Sequence, residues 1–223
     1  MKVFKRFLTE AEQRQLLRHM HLMRADALAR RDGALMRLFL HGGTRLGETL
    51  LISTGDALAA LRAGWLYIPK AHRKGKGMDH QVLVTAPVRE ALRDLLSARA
   101  EITGVELSRE TDPLIVGRHG RAMTARAVQL RFAQWCQAAG MPDGVSPHWF
   151  RHTRAKNIMR KSTSNDPRGI VQAALGHASI GSTGIYTTVS HEELADELNR
   201  IDGAGDRRKV KRDLKRDFQG RVA

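Results

Sequence analysis

The chain has 223 residues, enough for one large domain or one domain with appendages, and its 42% hydrophobic content can fill a real core. Lys and Arg number 38 against 23 Asp and Glu, a formal charge of +15 that points to phosphate-rich nucleic acid as partner, with a generic basic protein or a membrane-surface binder as the alternatives that charge alone leaves open. No apolar run approaches the length of a membrane helix, and the single Cys136 excludes an intramolecular disulfide. The opening MKVFKRFLTE is charged and has no apolar signal-peptide core, so a soluble, cytoplasmic protein is expected.

In chain order, Thr9-Glu10-Ala11-Glu12 is a capping box that starts a helix carrying Leu16, Leu17, Met20 and Met23. A second helical run covers Ala34 to Leu40. From about Leu50 to Pro87 the pattern changes to apolar, β-branched runs at Leu50-Ile52, Trp65-Pro69 and Gln81-Thr85. Turn material at Thr54-Gly55-Asp56 and Lys74-Gly75-Lys76-Gly77 separates them, which predicts a small three-stranded antiparallel sheet. Val88 to Ala100 reads as a helix and Leu114-Val116 as a short extended piece. Thr124 to Ala139 is helical, with Val128, Phe132, Trp135, Cys136 and Ala139 on one stripe; there Cys136 is a small core residue. Ser146-Pro147 and Asp166-Pro167 each pair a cap with a proline at the first helical position, and Gly176 stops the second of these helices. A last helix, His191 to Ile201, carries Leu194, Leu198 and Ile201 on one face. That face fits a neighbouring protomer and its own domain equally well. The fold class is α+β, mainly helical. Residues 1–201 are expected to form one domain, and the charged 202–223 segment a flexible basic tail.

Four motifs carry chemistry, and their order matters more than any one of them. Arg45 in Gly43-Thr44-Arg45-Leu46-Gly47-Glu48 has Glu48 three residues on, which alone is an ordinary ion pair. The basic turn offers Lys74 and Lys76 between glycines that let the backbone bend. In Pro147-His148-Trp149-Phe150-Arg151-His152, His148 and Arg151 share a helix face in the first turn, where backbone N–H groups favour an anion. Leu175-Gly176-His177 is followed nine residues later by Tyr186. The chain's other tyrosine, Tyr67, falls in a strand run that explains it structurally.

Taken in the order Arg, Lys, His-x-x-Arg, Gly-His, Tyr, these residues resemble the tyrosine recombinase (phage integrase) family from about Phe7 to about Ile201. Carried over position by position, the resemblance implies that Tyr186 is the nucleophile and that Arg45 and Arg151 clamp the scissile phosphate. His148 then accepts the tyrosine proton or hydrogen-bonds a phosphate oxygen, and His177 is a further phosphate ligand. Lys76, with Lys74 as the alternative, protonates the leaving 5′-oxygen, and Glu48 orients Arg45. Two features depart from the family: Thr44 stands where an apolar residue usually precedes the first arginine, and the turn offers two lysines.

These residue types suit phosphoryl transfer. Arginine forks bind phosphate bidentately and stay charged while negative charge grows on the phosphoryl oxygens. The resemblance implies no cofactor: neither a metal nor ATP is needed, since a phosphotyrosine bond keeps the energy of the broken bond. It also implies double-stranded DNA as substrate, a 3′-phosphotyrosyl linkage, a tetramer on paired sites, and accessory DNA-bending or recombination proteins as partners. A nucleoid-associated protein encoded by a bacterium or a mobile element is expected. About forty residues precede Arg45, too few for the family's usual separate DNA clamp. The chain is then either a fragment or a short recombinase similar to the fimbrial phase-variation invertases. Rival readings are a non-catalytic DNA-binding regulator, a type IB topoisomerase and an RNA-binding module. The unbroken set of positions, the close motif spacing and the scarcity of aromatics weigh against them in turn.

Overall fold

A computed structural model describes residues 7–73, 78–105, 109–176 and 191–203. The predicted capping box is formed: Thr9 Oγ1 accepts from Glu12 N–H, Glu12 accepts from Thr9 N–H, and helix α1 (Glu10–Leu22) follows. Leu16 and Met20 are its buried face. Helix α2 (Ala27–Arg37) starts at the Asp26 cap, earlier than the apolar run alone suggests. It runs into a π turn, Leu38–Gly42, that ends at Gly43 with a left-handed φ of 65°. Nearly every residue of this stretch is buried, so it forms the central rod of the domain.

The region predicted as a three-stranded sheet is only partly one. Trp65–Ile68 (β1) and His80–Leu83 (β2) pair antiparallel, with Trp65 opposite Leu83 and Ile68 opposite His80. Among the described residues the sheet has these two strands. Leu50 instead ends a short helix, α3 (Leu46–Leu50). The supposed turn Thr54-Gly55-Asp56 opens helix α4 (Thr54–Ala63), because Ser53 and Asp56 form a capping box and the residues beyond are alanines and leucines. The extended character of Ile52-Ser53 is nonetheless used. Ser53 bridges Pro113, and Leu114 N–H donates to Ile52 O at 3.0 Å, so the predicted extended piece at Leu114 is local bridging outside the sheet.

Helix α5 (Ala86–Thr103) packs along α2, and α6 (Ala125–Ala138) begins at the Thr124 cap. Phe132 on α6 stands edge-on between Phe39 and Phe150, with centroid separations of 5.6 and 5.4 Å. This aromatic row joins the central rod to α6 and to helix α7 (Pro147–Lys161). Asp32, fully buried on α2, accepts from Arg31, Arg131 and Trp135 Nε1, which locks α6 against α2. Cys136 is buried, and burial raises its thiol to about 11, an inert core residue as expected.

Helix α8 (Pro167–Leu175) starts at the Asp166 cap and stops at Gly176, φ 60°. Helix α9 (His191–Gly203) lays Leu194, Leu198 and Ile201 against Ile158, Ile170 and Ala174, with Trp65 and Leu83 of the sheet beside them. The apolar stripe therefore packs on its own domain. At its end, the Asp202 carboxylate, its side chain 5% exposed, accepts from Arg154 of α7 at 2.8 Å and lies 3.4 Å from His41 Nδ1. Burial alone would raise the Asp202 carboxyl; the His41 hydrogen bond and the Arg154 charge outweigh it and hold it at about 2. No helix among the described residues is long and apolar enough to cross a membrane.

Candidate functional site

Arg45 follows the left-handed Gly43 and occupies the N-cap of α3. Its backbone N–H and its Nη1 both donate to the Glu48 carboxylate, at 3.0 and 2.6 Å. The expected Arg45–Glu48 pair is thus present: the one carboxylate accepts from the backbone N–H of Arg45 and from its guanidinium, holding both the N-cap residue and its side chain. Glu48 is 2% exposed. Burial pushes its carboxyl up, but the hydrogen bonds and charge of Arg45, joined by Arg73, win and keep it below the ordinary carboxylate range. The departure at Thr44 is accommodated locally. Its side chain is buried, and Thr49 Oγ1 donates to its hydroxyl at 2.7 Å.

Arg151 comes from α7 and is 5% exposed. Its Nη1 donates to Gly43 O and its Nη2 to Leu175 O, the latter at 2.7 Å. One guanidinium therefore joins the loop before Arg45 to the end of α8. Gly43 permits this approach: a Cβ there would stand 2.4 Å from Leu175 Cδ2, and its φ is left-handed as well. Burial, then the neighbouring Arg45 charge, lowers Arg151 to about 10, so it stays a cation at neutral pH. His148, one turn earlier on α7, is exposed and stacks edge-on with His152 at 4.3 Å.

Thr44, Arg45, Leu46, Gln129, Ser146, Pro147, His148 and Arg151 line one open cleft of about 220 Å³. Three of the predicted site residues, from α3 and α7, thus face the same space, with Glu48 behind Arg45. Ser146 holds the N-cap position of α7, yet its side chain makes no capping bond; it faces the cleft. Lys74, Lys76, His177 and Tyr186 lie outside the described residues. Their described neighbours converge all the same: Arg73 and Gly176, each adjacent to one of these segments, are bonded to one another through Arg73 Nη2 and Gly176 O. Tyr67 is half exposed on β1, and its hydrogen bond to Asp79 raises its phenol above the ordinary value, the opposite of activation.

Sequence reasoning missed His80 and Gln129, and gave Arg73, the first residue of the basic turn Arg73-Lys74-Gly75-Lys76-Gly77, no role of its own. Arg73 is 8% exposed and donates to Glu48 Oε1 at 3.3 Å, to Met78 O and to Gly176 O. His80, at the start of β2, lies against Gly176; burial, then the Arg73 charge, lowers its imidazole to about 4. A basic turn rich in glycine gives no sign of which cation is buried. Gln129 lies on α6, far from every motif in sequence, and only tertiary packing brings it to the cleft.

Arg45, held by the buried Glu48 carboxylate, thus shares one cleft with Arg151 and the exposed His148, on a helical domain with a small antiparallel sheet. The phage integrase family matches residues 6–193, and the chain belongs to that family. Among its relatives is the tyrosine recombinase XerC of Azotobacter vinelandii, 38% identical over 186 residues, 82% of this chain and 56% of the relative. The chain spans about half the length of the curated relatives it matches. The fold is similar to that of the Tn1549 transposon integrase in complex with transposon right end DNA, with a TM-score of 0.63 at 14% identity, over 100% of this chain and 68% of that one. It is also similar to that of the XerH site-specific recombinase bound to difH substrate, TM-score 0.61 at 21% identity, over 85% and 52%.

Proposed function

We propose that this chain is a site-specific DNA recombinase or integrase that cuts and rejoins strands through a 3′-phosphotyrosyl intermediate on Tyr186. The observation that carries the reading is the convergence of Arg45, Arg151 and His148 on one cleft, with a single buried carboxylate, Glu48, shared by the cations around it. Guanidiniums held in place before substrate arrives suit a phosphate whose charge grows in the transition state. Arg151 has two donors committed to carbonyls, so its orientation is set by the fold and costs nothing at the moment of reaction.

In the reaction, the Tyr186 hydroxyl oxygen attacks the scissile phosphorus and the bond to the 5′-oxygen breaks. Arg45, Arg151 and His177 hold the non-bridging oxygens. His148 takes the tyrosine proton or bonds a phosphate oxygen, and Lys76, or Lys74 in its place, gives a proton to the departing 5′-oxygen. Reversal by another 5′-hydroxyl reseals the strand, with no net change in phosphoester bonds and no ATP. The expected boundary at 201 moves by two residues, because α9 continues to Gly203 and Asp202 is bonded to Arg154: residues 1–203 act as the catalytic domain and 204–223 as a basic tail. The substrate is double-stranded DNA. A tetramer on paired sites and accessory DNA-bending proteins complete the assembly.

The test is a nicked suicide duplex carrying a binding site selected by the protein from a random pool. Wild type is expected to leave a denaturant-stable protein–DNA band, unaffected by EDTA, and Tyr186→Phe none, while both bind equally. Tight binding without a band from wild type would instead favour a non-catalytic regulator.

A further inference from the structure

Arg73 is a charged side chain, 4% exposed, that opens the basic turn and to which the resemblance assigns no role. It is one residue from the lysine-bearing segment and bonds to Met78 O, so it joins the two ends of that segment, 73 and 78. Its Nε donates to Glu48 Oε1, the same oxygen that holds Arg45 Nη1. Its Nη2 donates to Gly176 O, the peptide bonded to His177. Three parts of the chain that supply predicted site residues therefore meet on one guanidinium. Gly176 is shaped for the contact: a Cβ there would stand 2.9 Å from Arg73 Nη2 and 2.6 Å from the His80 ring, and its φ is +60°. His80, whose ring fills the space beside Arg73, has its Nε2 buried with no hydrogen-bond partner among the described residues. The cluster is packed for shape around Arg73.

We infer that Arg73 is a positioning residue for strand cleavage: it registers Glu48, and through it Arg45, against the Gly176–His177 peptide and the neck of the lysine segment. The inference rests on the recombinase reading. Because Arg73 is buried, it does not touch DNA, and its loss leaves affinity in place while slowing chemistry. Lysine is a poor substitute, since one ammonium on a flexible stem cannot reproduce a planar fork aimed at three fixed oxygens.

The experiment measures single-turnover formation of the covalent adduct at saturating nicked duplex, alongside DNA affinity, for wild type, Arg73→Ala, Arg73→Lys, Glu48→Gln and the Arg73→Ala/Glu48→Gln double variant. Arg73→Ala is expected to slow adduct formation about 100-fold, the scale of a small misplacement of reacting groups. DNA affinity should stay within about twofold and Arg73→Lys should be at least about tenfold slow. The double variant should be little slower than the slower single variant, because both act through Arg45. If Arg73→Ala melts below the assay temperature, Arg73→Lys decides by the same rate and affinity criteria. Wild-type rates in the folded Arg73 variants, or a loss confined to affinity, overturn the inference while leaving the recombinase reading intact. No adduct from wild type overturns both.

Discussion

Acidification should destabilise this fold through one buried imidazole. His80 is 6% exposed at the start of β2, against Gly176 and beside Arg73. Burial, reinforced by the Arg73 charge, holds its pKa at about 4 where a free imidazole has 6.5. In the interval between these values the unfolded chain takes up a proton that the folded chain refuses. Stability from this group is therefore complete above 6.5 and is lost as pH falls toward 4. From pH 7 to about pH 4.5 the loss amounts to about 2.4 kcal/mol, a large part of a typical folding free energy. Glu48, Glu197 and Asp202, with carboxyls held below their ordinary values of 4.5, 4.5 and 3.8, begin to add their own losses at the acid end of this range, but they do so in wild type and variant alike, so the difference between the two proteins isolates the imidazole. Urea unfolding of wild type and His80→Gln at the two pH values measures it. The variant cannot titrate, so its pH dependence should be smaller by about 2.4 kcal/mol whatever its stability at pH 7. Equal pH dependence in the two proteins would refute the argument.

Two further outcomes test the packing that builds the site. Gly176→Ala must hold an alanine at φ +60° with its Cβ 2.6 Å from the His80 ring; a loss of about 2–4 kcal/mol is expected in urea unfolding. Gly64→Ala, at φ +79° with open space around it, should lose only about 1–2 kcal/mol; equal losses would mean that the ring does not press on Gly176. Asp202→Ala leaves Arg154 buried without its carboxylate and should cost about 3–5 kcal/mol, with α9 released first in hydrogen exchange. A change under about 1 kcal/mol would show that the pair does not anchor the helix.

Which helices form was largely legible, because caps and breakers act over three or four residues. Thr9 with Glu12, Thr124, Asp166-Pro167 and Gly176 all do locally what their spacing announces. The error at 50–56 has a local physical cause too. Leu50-Leu51-Ile52 reads as a strand by composition, but Ser53 and Asp56 form a capping box, and an alanine-rich run after it propagates a helix. Composition outweighed capping in that reading, and the structure reverses the order. The face of α9 was undecidable from periodicity: a stripe of Leu194, Leu198 and Ile201 records that something covers it, not what.

The sequence by itself determined the family, the order of its Arg, Lys, His and Tyr positions and the basic balance of the chain, since these are matters of residue type and spacing. Only the tertiary structure decided how the cations are held. Arg151 is aimed by carbonyls at Gly43 and Leu175, 108 and 24 residues away in the chain. Glu48 serves Arg73 as well as Arg45, and Asp202 ties the last helix to Arg154 and His41. Such contacts depend on which surfaces meet when the helices pack, and no local pattern encodes a partner a hundred residues distant.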